Sequence, residues 1–137
     1  MKVAICASMV FAERMLEVKA ALEKMGHAAF ASEFAGGYVG KSENEKEALT
    51  LHNKGNNGAI RLFWEKIKQS DAILVLNYER KGIANYIGGN TLMEIGFGHV
   101  LGKKIFLLNP VPEIEFYKSE IEAVRPIVIN GDLALIK

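Results

Sequence analysis

Short apolar runs alternate with segments of helical periodicity along the chain, and no other feature of the sequence limits the possible folds as strongly. The strand-like runs are almost continuously apolar, as in strands buried on both faces, and the segments between them repeat apolar residues at helical spacing. Strands that alternate with helices in this way form parallel sheets covered on both sides. We predict an α/β fold: a flavodoxin-like three-layer sandwich with a five-stranded, mostly parallel sheet, built from residues 1–137 as one domain.

The predicted elements follow one another in the order that such a sandwich requires. Strands are expected within residues 2–7, 28–32, 71–78, 105–110 and 126–131. Helices are expected within residues 11–27, 58–70, 90–104 and 113–124, and a short charged helix within residues 34–57. Because this last segment is rich in glycine, we expect it to pack poorly and to act as a lid that orders over a bound ligand; the alternative is an ordinary surface loop.

The composition excludes several classes of function. The chain has 17 Lys or Arg and 16 Asp or Glu residues, so its net charge of +1 gives no general attraction for nucleic acid or an anionic membrane. The only cysteine, Cys6, excludes an internal disulfide and fits a cytoplasmic protein. The apolar start is interpreted as a strand and not as a signal peptide, because Glu13 and Arg14 follow at once. No His, Cys, Asp and Glu residues stand at metal-ligand spacing, so we expect neither a metal nor a cofactor.

Ligands of such sheets bind beyond the carboxyl ends of the strands, and this rule selects the candidate binding residues. Tyr78 and Tyr86 could stack on a base or donate a proton, and Ser8 could hold a sugar or phosphate oxygen or cap the first helix. Glycines at the start of a helix would let a ligand approach free N–H groups. The predicted substrate-binding residues are Ser8, Met9, Asn77, Tyr78, Asn85, Tyr86, Gly88, Gly89, Asn90 and Thr91.

Glu94 is the only Asp, Glu, Lys or Arg between residues 82 and 102. A carboxylate among apolar residues costs free energy unless it has a partner or a function, so Glu94 is the candidate catalytic residue. Two structural alternatives stay open. Asn90 or Thr91 could be the N-cap of the helix, and from Thr91 the spacing to Glu94 is that of a capping box.

A second glycine-rich stretch, "AGGYVGKS" at residues 35–42, is similar to a phosphate-binding P-loop. That motif needs a glycine where Ala35 stands, and it follows the first strand of its fold, whereas this stretch follows the second predicted strand. We therefore interpret it as a loop or lid and not as a nucleoside triphosphate site.

The segments "KVAICASM", "SDAILVLN" and "GGNTLMEIGFGHVLGKKIFLL" together resemble the nucleoside 2-deoxyribosyltransferase superfamily. The resemblance implies that the chain cleaves or transfers the N-glycosidic bond of a nucleoside or nucleoside monophosphate, with Glu94 as the nucleophile on the anomeric carbon. A carboxylate can stabilise or trap the oxocarbenium-like centre of such a reaction. We expect the nearby helix N-terminus to keep Glu94 ionised at neutral pH.

The sequence departs from this family at two positions. Gly88 stands where family transferases carry an aspartate that handles the base, and a second family aspartate falls near Phe63. Asn85 and Asn90 could form hydrogen bonds to a base or sugar in their place. The run "GGNT..E" is also similar to that of nucleotide phosphoribohydrolases, and a nucleotide-binding module without catalysis is the alternative function.

The predicted helix "TLMEIGFGHVLG" is apolar nearly all round. Such a helix needs a cover on its second face, so we expect a homodimer or a larger closed homo-oligomer.

Overall fold

The computed structural model describes all 137 residues and contains five β-strands, each overlapping its predicted apolar run. The strands are β1 (Lys2–Cys6), β2 (Ala28–Phe30), β3 (Ala72–Val75), β4 (Lys104–Leu107) and β5 (Ile127–Val128). β3 is buried along its whole length, and β1 and β4 are exposed only at their first lysines. Strands of this kind occur where helices cover both faces of a sheet.

Five helices connect or follow the strands. They are α1 (Ala12–Lys24), α2 (Glu43–Asn56), α3 (Ala59–Gln69), α4 (Gly89–Val100) and α5 (Lys118–Ala123), with short 3₁₀ turns at Met9–Phe11, Ala35–Tyr38 and Leu133–Leu135. α2 begins with a capping box, in which Ser42 Oγ accepts from the Glu45 N–H at 3.2 Å and the Glu45 carboxylate accepts from the Ser42 N–H at 2.9 Å. This box explains why a glycine-containing segment forms a helix of 14 residues, longer than the sequence predicted.

The sheet has the strand order β2-β1-β3-β4-β5, and every neighbouring pair is parallel. The predicted flavodoxin-like fold is therefore confirmed. The chain moves outward from β1 to β2 and then returns to the other side of β1 with β3. The carboxyl ends of β1 and β3 meet at this switch point, where open α/β sheets bind their ligands.

The core has one apolar layer on each face of the sheet. Alternate residues of β1 and β3, such as Ile5 and Leu74, pack with Met15 and Leu22 of α1. The intervening residues of the same strands pack with α3, α4 and α5. Two-residue alternation along each strand therefore places helices on both sides.

α4 lies unusually close to the sheet. A β-carbon added at Gly98 would lie 3.2 Å from Cδ1 of Ile73, so only glycine fits there without a shift of β3 side chains. This packing fixes the angle at which α4 leaves the rim. No helix is long and apolar enough to cross a membrane.

Candidate active site

A cleft of about 180 Å³ opens at the switch point between β1 and β3. Its lining includes the chain that follows β1, from Ala7 to Met9, and the turn that leads into α4. α2 and the 3₁₀ turn before it also contribute lining residues, and Glu94 lies in the lining together with Ile5 of β1. The cleft is thus where the fold predicts a ligand site.

The structure brings most of the predicted site residues together. Those that line the cleft are Ser8, Met9, Tyr86, Gly88, Gly89, Asn90, Thr91 and Glu94. The other three, Asn77, Tyr78 and Asn85, lie outside its lining.

Asn77 is completely buried and forms hydrogen bonds to the chain after β4. Its Nδ2 donates to the carbonyl oxygens of Asn109 at 2.9 Å and Pro110 at 3.0 Å, and its Oδ1 accepts from the Asn109 N–H at 2.9 Å. The Asn109 amide in turn donates to the Asn77 carbonyl at 3.0 Å. These four bonds join the ends of β3 and β4 and occupy the side chain of Asn77.

Tyr78 and Asn85 also have local structural surroundings. Tyr78 packs edge-on against Phe11 with ring centroids 5.3 Å apart, and the Arg14 guanidinium lies 5.3 Å from the centre of its ring. Burial raises the pKa of the Tyr78 hydroxyl. Asn85 has a φ of +57° in the loop before α4, a conformation that Asn adopts more readily than most residues.

The start of α4 differs from the sequence prediction. Gly88 is the N-cap, with φ −84° and ψ 172°, and it provides no side-chain cap. The expectation that Asn90 or Thr91 caps the helix is therefore wrong. Thr91 lies inside the helix and its buried Oγ1 has no hydrogen-bond partner, which also excludes a capping box between Thr91 and Glu94.

The free groups at this helix start all belong to the cleft. The first helical hydrogen bond runs from the Leu92 N–H to the Gly88 carbonyl, so the N–H groups of residues 89–91 have no acceptor in the chain. Thr91 is 2 % exposed, and its unpaired hydroxyl lies in the cleft lining. Unsatisfied buried polar groups are rare in proteins, so a ligand with hydroxyl or phosphate oxygens fits here.

Glu94 is the sixth residue of α4 and has no compensating partner. Burial alone raises the pKa of its carboxyl to about 8, and no hydrogen bond or cation opposes that effect. The expectation that the helix N-terminus keeps Glu94 ionised at neutral pH is therefore wrong. The reason is that helix-dipole stabilisation fades beyond the first turn, whereas Glu94 lies in the second and has lost most of its water.

The Glu94 carboxyl lies close to the first strand. Its negative charge adds to burial in raising the pKa of the Cys6 thiol at the end of β1. Cys6 is buried and its Sγ contacts the Ala4 carbonyl oxygen at 3.9 Å, so the thiol belongs to the core and not to the cleft lining.

Tyr86 occupies the space beside Gly88. A β-carbon added at Gly88 would lie 3.0 Å from the Tyr86 hydroxyl oxygen and 3.3 Å from Cε1 of its ring. Position 88 is where the sequence resemblance expects an aspartate. The tyrosine hydroxyl therefore fills the place into which a side chain at position 88 would project.

Sequence reasoning missed Arg80. Its guanidinium forms ion pairs with Glu43 at 3.0 Å and Glu47 at 2.6 Å, donates to Ser8 Oγ at 3.2 Å, and lies 5.3 Å from the centre of the Tyr86 ring. A charged residue in a loop is usually solvated, so the sequence carries no signal for this role. Only the position of α2 above the rim provides its partners.

Sequence reasoning also missed the polar wall that α2 contributes. Thr50 donates to the Lys46 carbonyl at 2.9 Å, so the Tyr38 hydroxyl must donate to Thr50 at 3.2 Å. Asn53 Nδ2 then donates to the Tyr38 oxygen at 3.2 Å. This leaves one N–H of Asn53 for a ligand.

The segment at residues 34–57 is well packed. Tyr38, Lys46 and Asn53 are buried, and Lys46 pairs with Glu13 of α1 at 2.6 Å while the other Glu13 oxygen accepts from the Gly40 N–H at 3.0 Å. The hydrogen bond from Lys46 lowers the pKa of Glu13. The expectation of a poorly packed segment is therefore wrong, because charged residues that look solvated in the sequence form the anchor between α1 and α2.

Two solved structures share the fold of this chain. A 2-deoxyribosyltransferase from Bacillus psychrosaccharolyticus matches with a TM-score of 0.54 and 18% identity over 83% of this chain and 76% of its own. The CMP N-glycosidase BcmB from Clostridium botulinum matches with a TM-score of 0.52 and 18% identity over 95% of this chain and 90% of its own. The chain has the fold of the nucleoside 2-deoxyribosyltransferase superfamily.

The resemblance predicted from the sequence is thus confirmed at the level of the fold. A scan against protein-family models finds no match, and a search of curated proteins finds none either. One of these two similar structures is a 2-deoxyribosyltransferase and the other is a CMP N-glycosidase. Both names describe reactions at N-glycosidic bonds, and fold kinship at this distance is compatible with either reaction.

Proposed function

We propose that this protein cleaves the N-glycosidic bond of a nucleoside or nucleoside monophosphate, with Glu94 as the nucleophile. The observation that supports the proposal best is the carboxyl of Glu94 itself, which lies in the ligand cleft without a hydrogen bond or cation and has a pKa of about 8. Strongly shifted carboxyls in clefts are characteristic of active sites. A group this poorly solvated gains most when positive charge develops on the adjacent sugar.

The reaction divides into two steps in this proposal. Ionised Glu94 attacks the anomeric carbon as the base departs, which gives a glycosyl ester. Water, or a second base in a transfer reaction, then attacks the same carbon and releases Glu94. The raised pKa means that only about a tenth of the molecules hold Glu94 ionised at pH 7 without ligand.

The free groups at the start of α4 suit the polar part of the substrate. The N–H groups of residues 89–91 and the unpaired Thr91 hydroxyl can donate to sugar or phosphate oxygens. Ser8 faces them across the cleft and already accepts from Arg80. We propose Ser8, Met9, Tyr86, Gly88, Gly89, Asn90 and Thr91 as the substrate-binding residues of the cleft.

The rival function is a nucleotide-binding module without catalysis, and one observation favours it: Glu94 is mostly protonated at neutral pH. Incubation of the protein with a panel of ribo- and deoxynucleosides and their monophosphates, with chromatographic detection of released base, separates the two. Base release supports the enzyme and identifies its substrate. Binding of a monophosphate by calorimetry without base release at pH 7 or pH 9 would support the module.

Ligand binding is expected to protect the segment at residues 34–57 from proteolysis. Lys54 lines the cleft, and Lys41 lies in the exposed turn just before α2. A ligand in contact with α2 should make local unfolding at both ends of this helix less frequent, because unfolding would then break the ligand contacts as well. We expect saturating nucleoside monophosphate to slow tryptic cleavage after Lys41 and Lys54 about fivefold or more.

Cleavage after Lys24 is the internal control, because this exposed lysine ends α1 at the opposite edge of the sheet. Its rate should not change with ligand. Equal protection at Lys24 would indicate global stabilisation, and unchanged rates at Lys41 and Lys54 would show that α2 does not close over the ligand.

We propose that the protein forms a homodimer through an apolar groove between α3 and α4. The groove has a volume of about 690 Å³ and is lined by Ile60, Trp64, Met93, Phe97 and Val100 among others. Val100 is 83 % exposed and Met93 is 45 % exposed, while Trp64 and Phe97 pack edge to face at 5.2 Å. An exposed apolar surface of this extent is typical of an interface.

A charge in this groove is expected to break the dimer. Val100→Glu should give a folded monomer, because an unpaired carboxylate would be buried at the interface. Leu51→Glu, which replaces a 68 % exposed leucine on α2, is the matched control and should leave the dimer intact. Light scattering at micromolar concentration gives the molar mass of the wild type and both variants, and a monomeric wild type would contradict the proposed homodimer.

A further inference from the structure

The phenol of Tyr86 is the one tyrosine hydroxyl of the cleft that has no partner. Tyr38 and Tyr117 are the tyrosines whose hydroxyls form hydrogen bonds within the chain: Tyr38 in the α2 wall, and Tyr117 as donor to the Ile87 carbonyl. The Tyr86 hydroxyl forms no hydrogen bond, although the residue lines the same cleft as Glu94. Its proton is therefore available to a ligand.

Five other polar side chains of the cleft are less suited to give up a proton. Arg80 does not release its protons in proteins, and the amides of Asn53 and Asn90 have none to release. Thr50 already donates to the Lys46 carbonyl. Lys54 is exposed near the end of α2, at the rim of the cleft.

The backbone holds the Tyr86 phenol against the turn that leads to Glu94. Its hydroxyl oxygen lies 3.0 Å from where a β-carbon of Gly88 would be, so a side chain at position 88 would require the phenol to shift by a few tenths of an ångström. Gly88 has φ −84° and ψ 172°, an extended conformation open to every residue, so backbone freedom does not explain this glycine. The absence of a side chain at position 88 instead leaves room for the Tyr86 hydroxyl.

We propose that Tyr86 is the proton donor to the departing base, an inference that rests on the proposed function. As the bond between the anomeric carbon and the base nitrogen breaks, its electron pair goes to the base, which takes the Tyr86 proton. Glu94 forms the new bond to the carbon. In the second step the Tyr86 phenolate accepts a proton from the attacking water, and the Glu94 ester is cleaved.

Arg80 supports this assignment. Its guanidinium lies 5.3 Å from the centre of the Tyr86 ring, so a cation–π contact keeps the ring beside Arg80 in the cleft. The same guanidinium is fixed by Glu43 and Glu47. α2 thereby positions the cation beside the proton donor.

The test compares two leaving groups in Tyr86→Phe. With an unmodified purine nucleotide, which must be protonated as it leaves, kcat should fall about 10²-fold. With the same nucleotide methylated at N7, whose base already carries a positive charge, kcat should fall less than about threefold, because no proton transfer is needed. Retained activity on the methylated substrate also shows that the variant is folded.

Two further variants complete the design. Tyr78→Phe removes a hydroxyl outside the cleft and should leave kcat for both substrates unchanged. Gly88→Asp combined with Tyr86→Ala places a carboxyl in the vacated space. On the unmodified substrate, kcat of this double variant should be at least about tenfold higher than kcat of Tyr86→Ala alone.

The outcomes are distinct. An active wild type in which Tyr86→Phe lowers kcat equally for both leaving groups, or not at all, would overturn proton donation by Tyr86 alone. A wild type that releases no base from any nucleoside or nucleotide of the panel would overturn the proposed function and this inference together.

Discussion

Glu94→Gln is expected to lower kcat for base release at least about 10³-fold, because an amide cannot form the glycosyl ester. The fold should persist, since the Glu94 carboxyl forms no hydrogen bond or ion pair with the chain. Gln keeps the shape of the side chain, so packing around α4 is preserved. Chromatographic detection of released base measures the loss.

The same variant should be more stable than the wild type at alkaline pH. The folded protein binds a proton at Glu94 up to a pKa of about 8, whereas the unfolded chain releases it near the ordinary value of 4.5. Wild-type stability therefore falls as pH rises between these values, and Gln removes this loss. We expect a difference in the free energy of unfolding on the order of 4 kcal/mol at pH 8 and close to zero at pH 4.5.

Urea unfolding of both proteins across this pH range measures the difference, and other titrating groups cancel in the comparison. Glu115→Gln, at an exposed position before α5, is the matched control and should change neither stability nor kcat. The pH profile gives a second check: kcat/KM of the wild type should rise about tenfold per pH unit below 8. A flat profile, or a Glu94→Gln variant that retains turnover, would contradict the nucleophile assignment.

The sheet could be predicted from the sequence because its signal is local. Each strand is an apolar run, and the helices between them carry their apolar residues at helical spacing, so order and layering follow from pattern alone. Glu94 could be selected for the same reason, as a lone carboxylate at the predicted rim. These features need no knowledge of distant contacts.

The details of the cleft could not be predicted, because they depend on contacts between distant segments. The N-cap of α4 is a glycine without a side-chain signal, so the helix begins two or three residues earlier than a cap at Asn90 or Thr91 would place it. Arg80 and Lys46 look solvated until α2 is placed over the rim. The glycines of residues 34–57 suggested mobility, whereas the capping box at Ser42 determines a helix.

Asn77→Ala is expected to lower the free energy of unfolding by about 3 kcal/mol and the melting temperature by about 10 °C. The substitution leaves three backbone groups without their side-chain partner: the N–H and carbonyl of the half-buried Asn109 and the carbonyl of the exposed Pro110. Each such group costs about 1–3 kcal/mol, partly recovered when water enters the gap. Thermal unfolding followed by circular dichroism measures the effect.

Asn109→Ala is the matched control for this prediction. This substitution removes the other side-chain amide of the Asn77–Asn109 pair, but that amide forms only one hydrogen bond, from Asn109 Nδ2 to the Asn77 carbonyl. The free energy of unfolding should therefore fall by only about 1 kcal/mol. The sequence placed Asn77 among the substrate-binding residues, whereas the structure shows it bonded to the chain after β4. A substrate-binding role predicts a raised KM for Asn77→Ala, and a structural role predicts lower stability. A large loss of stability with KM unchanged in the remaining folded protein would support the bracing of β3 against the chain after β4. A variant as stable as the wild type with a raised KM would mean that the Asn77 amide turns from Asn109 to the substrate when the ligand binds.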